Sequence, residues 1–152
     1  MAKDEIEALI KIADEENLVQ PKFVGLMLRS VLYLEKKSPS EASKTAEEIR
    51  KLIESMLFKK QIRWYFDILG YIELHKNDPG NAIKYFEQAA SLDPSPAIAK
   101  DTDLLEDLGS AYFKDGDMEK ARQVYEKIVS QLNSKWSGDI YVKSFYMLGR
   151  IA

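Results

Sequence analysis

Catalysis needs a nucleophile beside a base, two carboxylates held in different environments, or a metal with several converging ligands. The sequence is poor in all three. His75 is the only histidine and cysteine is absent, so the common zinc ligand sets cannot be assembled, and no metal or other cofactor is expected. The acidic runs Asp14-Glu15-Glu16 and Glu47-Glu48 place neighbouring carboxylates about 100° apart around a helix, which suits a solvated face better than shared proton chemistry. There is no Gly-rich phosphate loop, and Asn77-Asp78-Pro79-Gly80 reads as a turn. His75 is expected near a helix C-terminus, where its charge meets the negative end of the dipole. The chain is expected not to be an enzyme.

The scaffold carrying these residues has 152 residues, 45% apolar and 31% charged, enough for one compact domain with a continuous core. Net charge is −3, from 22 basic and 25 acidic residues. They are mixed along the chain, with no cationic block to track a phosphate backbone, so nucleic acid is not expected as a partner. The lack of cysteine agrees with a reducing compartment. The N-terminal run MAKDEIEALIKIADEEN has carboxylates where a secretory signal needs an apolar core, and no apolar run approaches the ~18 residues of a membrane span. The expected location is cytoplasmic, without membrane contact.

Apolar residues recur at helical spacing, and strand-type alternation is not sustained anywhere, so the class is all-α. Ile6, Leu9, Ile10 and Ala13 form the first apolar stripe, and Asp4 with Glu7 has capping-box spacing. Proline after a polar residue marks further starts at Gln20-Pro21, Ser38-Pro39, Asp78-Pro79 and Ser95-Pro96, with Ser38 and Glu41 as a second box. Lys114-Asp115-Gly116-Asp117 suggests a left-handed glycine ending one helix and Asp117 capping the next. Eight helices are predicted, at 4–16, 21–37, 39–58, 61–76, 79–92, 96–114, 118–133 and 138–151.

These helices repeat. Gly70, Gly109 and Gly149 superpose Ile68-Leu69-Gly70, Asp107-Leu108-Gly109 and Met147-Leu148-Gly149. The same register aligns Ala82 with Ala121, Phe86 with Tyr125, and Ala89 with Ile128. Glycine inside a helix costs about 1 kcal/mol relative to alanine, so a close helix approach is the natural compensation, with Ala82 and Ala121 on the facing helices. On that alignment Ala82→Leu would overpack the contact by roughly 1–3 kcal/mol.

The segment from Arg63 to Pro94 resembles a tetratricopeptide repeat: it supplies Phe66, Leu69-Gly70, Ala82, Phe86, Ala89 and Pro94, with Glu73 at the usual aromatic. A second copy supplies Leu105, Leu108-Gly109, Tyr112, Gly116, Ala121 and Tyr125, but has Ile128 and Asn133 at its last two positions. A third starts with Phe145 and Leu148-Gly149. Projected backwards, Tyr33, Ala42, Ala46 and Ile49 belong to a degenerate copy with Arg29-Ser30 in place of Leu-Gly. The period exceeds the family's usual length of about 34 residues. The resemblance implies one domain over 1–152, a right-handed superhelix of helical hairpins. It comprises an N-terminal helix (1–20), a degenerate repeat (21–60), repeats at 61–94 and 95–133, and the first helix of an incomplete repeat (134–152). Connections at Ser95–Asp101 and Asn133–Gly138 are expected to hold the extra length. The last helix has neither a partner helix nor a polar cap, which suggests a piece of a longer protein.

In this family the first helices of successive hairpins line a concave groove. The resemblance places there Trp64, Asp67, Tyr71, Leu74 and His75 from one repeat, Asp103, Glu106, Ser110, Phe113 and Lys114 from the next, and Lys143, Tyr146 and Arg150 from the last. Trp64, Tyr71, Phe113 and Tyr146 offer aromatic surface, and Asp67, Asp103 and Glu106 put negative charge between them, which suits a basic or amphipathic ligand. Tyr71 and Phe113 could equally pack in the core. The implied function is a protein-interaction scaffold holding a peptide or partner domain. The alternatives are a regulatory or sensor region of a larger multidomain bacterial protein and a homo-oligomerisation module acting through the uncapped last helix.

Overall fold

The computed structural model describes residues 3–55, 61–92, 102–131 and 138–152. Over these the chain forms eight α-helices and no strand: α1 (Lys3–Glu15), α2 (Val19–Glu35), α3 (Pro39–Ser55), α4 (Ile62–His75), α5 (Pro79–Ser91), α6 (Thr102–Asp115), α7 (Met118–Gln131) and α8 (Gly138–Ile151). The all-α class and the order of helices are as expected. The start expected at Ser95-Pro96 and both proposed long connections fall at least partly outside the described residues.

The helix-ending turns share one backbone device. Asn17, Lys37, Asn77 and Gly116 all have positive φ, between 55° and 89°, the left-handed conformation that closes a helix. The next N–H reaches back five residues: Leu18 to the Ala13 carbonyl at 2.7 Å, Ser38 to Tyr33 at 2.8 Å and Asp117 to Tyr112 at 3.0 Å. These bonds satisfy carbonyls that a helix end otherwise leaves orphaned. The following starts are capped at Asp78, whose Oδ1 accepts from Asn81 N at 3.1 Å, and at Asp117, whose Oδ1 accepts from Lys120 N at 3.1 Å. The latter bond, helped by the Lys120 ammonium, holds the Asp117 carboxyl below its ordinary range.

Two local expectations are corrected. Pro21 lies inside the first turn of α2 and not at its first residue, because the helix already begins at Val19 behind Leu18, which offers no side-chain cap. The box at Ser38 and Glu41 does not form: the Ser38 N–H is taken by Tyr33, the Ser38 hydroxyl donates to Lys36 O at 3.3 Å, and the Glu41 carboxylate takes Lys44 Nζ at 2.7 Å. At the first box, α1 begins at Lys3, so Asp4 sits within its first turn.

The chain divides into two compact units, Met1–Asn77 and Asp78–Ala152. In the first, α1 packs on α2, α2 on α3 and α3 on α4, and α2 also touches α4. Its core joins Ile6 and Ile10 of α1, Phe23, Leu26 and Leu34 of α2, Ala42, Ala46, Ile49 and Ile53 of α3, and Ile68 and Ile72 of α4. Each large side chain buried here contributes about 1.5–3 kcal/mol. Arg29 ties three helices together, with Nη1 3.5 Å from Glu7 on α1 and Nη2 2.5 Å from Glu48 on α3. Burial pulls the guanidinium pKa down, but the bond and charge of Glu48, with Glu7 behind them, more than offset it and hold the group charged.

In the second unit α5 packs on α6, α6 on α7 and α7 on α8, and α6 also touches α8. Ala82, Phe86 and Ala89 of α5, Leu104, Leu108 and Ala111 of α6, Ala121, Tyr125 and Ile128 of α7, and Met147 of α8 are buried. The close approach expected at Gly109 is present, and its partner is an aromatic ring: a Cβ built there would stand 3.0 Å from Tyr125 Cζ. In the degenerate copy the same register position is Ser30, which is fully buried. A small residue is thus kept there even where Leu-Gly is lost.

Candidate peptide-binding faces

Each unit brings its two hairpin-opening helices into contact, α2 with α4 and α6 with α8. On α4, Trp64 is 36% exposed, with the Arg63 guanidinium 4.7 Å above its ring. Asp67, Tyr71 and Leu74 are half-buried, and Tyr71 leans on the core of the first unit. One Asp67 carboxylate oxygen is out of solvent. His75 is exposed at the last position of α4, and its Nδ1 lies 2.9 Å from the Tyr71 carbonyl, a helix-end contact like the one its place suggested.

On the second unit Asp103 and Lys114 are exposed at opposite ends of α6, and Ser110 and Phe113 are half-buried between them. Across from them α8 presents Lys143, Tyr146 and Arg150, all exposed. Glu106 forms an ion pair with Lys143. Arg150 stands 4.8 Å over the Phe113 ring and 5.9 Å from that of Tyr146, the stacking geometry of a cation over aromatic faces. So α6 and α8 bring together Glu106, Phe113, Lys143, Tyr146 and Arg150. Trp64, Asp67, Tyr71 and His75 belong to the other unit. The negative charge attributed to Glu106 is already balanced by Lys143, and within the second unit this leaves Asp103 as the exposed carboxylate among the candidates.

One set of residues was missed. On α2, Val24, Leu28 and Val31 are exposed and share one side of the helix. Val24 and Val31 stand 40 residues before Trp64 and Tyr71, so the repeat register itself gives their place. The backward projection to Tyr33, Ala42, Ala46 and Ile49 reached only core positions. Being aliphatic, the α2 residues also lack the aromatic signature that drew attention to α4 and α8.

Residues 73–135 match the family model described as tetratricopeptide repeat. That match, with the eight-helix array, supports a repeat protein of the tetratricopeptide type. The matched segment runs from the last residues of α4 through α5 and α6 to the end of α7, and it includes the Gly109–Tyr125 approach. No curated protein matches the chain. Tetratricopeptide domains generally mediate protein–protein interaction, and no helix among the described residues is long and apolar enough to cross a membrane.

Proposed function

We propose that this tetratricopeptide-type chain holds another polypeptide on the surfaces made by its hairpin-opening helices, α2 with α4 and α6 with α8. The observation that carries this reading is their exposed side chains: Val24, Leu28, Val31 and Trp64 in one unit, Tyr146 with Arg150 in the other. Trp64, Tyr146 and Arg150 are of the types enriched at interaction hot spots, and the exposed aliphatic groups add apolar contact area. A scaffold role, without catalysis, fits such a surface. The test is capture of partners from the native host with the parent chain and with a variant carrying Trp64→Ala, Asp103→Ala, Tyr146→Ala and Arg150→Ala. All four side chains are exposed, so helicity should be kept while capture is lost. A partner that binds the quadruple variant as well as the parent would remove the proposal.

A second reading is favoured by the outer side of α8, where Val142 and Phe145 are exposed and a Cβ at Gly149 would meet no atom within 4 Å. We propose self-association through this side as the alternative use of the chain. It predicts a mass that rises with concentration in light scattering and reverts to monomer in Phe145→Glu. A monomer at all concentrations rejects it.

A further inference from the structure

We draw no further inference here: the strongest candidate, the outer side of α8 where Val142 and Phe145 are exposed beside the open Gly149, carries nothing beyond the self-association already proposed for it, because nothing in the structure shows what covers that apolar face.

Discussion

Gly109 on α6 and Tyr125 on α7 approach so closely that a methyl group on the glycine would sit 3.0 Å from Cζ and 3.2 Å from both Cε atoms of the ring. Tyr125 is fully buried and has no open side into which to retreat. Gly149 holds the same register position on α8, with nothing within 4 Å. Alanine is worth about 1 kcal/mol over glycine in a helix, but overpacking costs about 1–3 kcal/mol. Gly109→Ala is therefore expected to lose about 1 kcal/mol net, and Gly149→Ala to gain about 0.5–1 kcal/mol. Urea unfolding of the two variants should move the midpoint in opposite directions; a shared direction would refute the assignment of the close approach.

The two buried tyrosines of the second unit should respond oppositely to loss of the hydroxyl. Tyr112 donates to Glu87 Oε1 at 2.5 Å, whereas the Tyr125 hydroxyl is buried with no hydrogen-bond partner among the described residues. An unmet buried hydroxyl costs about 1–3 kcal/mol, and a bond to a carboxylate contributes about 1.5–3 kcal/mol. Tyr125→Phe is expected to stabilise the protein at neutral pH by about 1 kcal/mol, and Tyr112→Phe to destabilise it by about as much. Chemical denaturation at pH 7 measures both.

Alkaline stability should distinguish the same residues. Burial, reinforced by the charges of Glu106 and Asp107, pushes the Tyr125 phenol up to about 12. Burial and the Glu87 carboxylate push Tyr112 up as well. An unfolded tyrosine titrates near 10, so above that pH the unfolded chain releases protons that the folded one keeps. The unfolded state is then favoured and stability falls as pH rises from about 10 towards 12. Tyr125→Phe should flatten that fall. An identical slope in parent and variant above pH 10 would contradict the burial of this phenol.

In the first unit, Ser30 is fully buried on α2 and its hydroxyl has no hydrogen-bond partner among the described residues. Alanine keeps the size that the helix contact needs and removes the unmet group. Ser30→Ala is expected to raise stability by about 1 kcal/mol, read as a higher denaturation midpoint. A lower midpoint would mean that the hydroxyl bonds in a way the structure does not show.

Lys37 adopts a φ of 55°, where a β-carbon is unwelcome and glycine or asparagine is the usual choice. Lys37→Gly should stabilise the end of α2 by about 0.5–1 kcal/mol. The same change at Lys36, whose φ is −79°, should not. Calorimetry on both variants would show whether the strain is local to the one residue.

Helix order was legible because its signals are local: proline near helix starts, a left-handed glycine at 116, apolar spacing between them; the same conformation at Asn17, Lys37 and Asn77 has no glycine to announce it. Reading failed where two uses competed for one atom. Ser38 and Glu41 have the right types for a capping box, but the Ser38 N–H is also the donor that closes α2 onto Tyr33, and closure took it. The pairing of Glu106 with Lys143, 37 residues apart, depends on how α6 meets α8 and cannot be seen in either helix alone. The resemblance supplied candidate groove positions by register, yet the exposed Val24, Leu28 and Val31 of α2 escaped, because valine and leucine at helical spacing read as core. Gly109 marked a close approach correctly, but the object approached, the Tyr125 ring, needed the packed helices to be named.

The left-handed residues at 37, 77 and 116 lie 40 and 39 residues apart, five or six more than the family's usual period of about 34. The backbone closure that ends each opening helix is not what has stretched, since it is the same few residues each time. The surplus must be absorbed between one such closure and the next. Counting by a fixed interval would slip out of phase within a single repeat. The left-handed residue is the fixed mark, and designed insertions or grafted repeats should be measured from it.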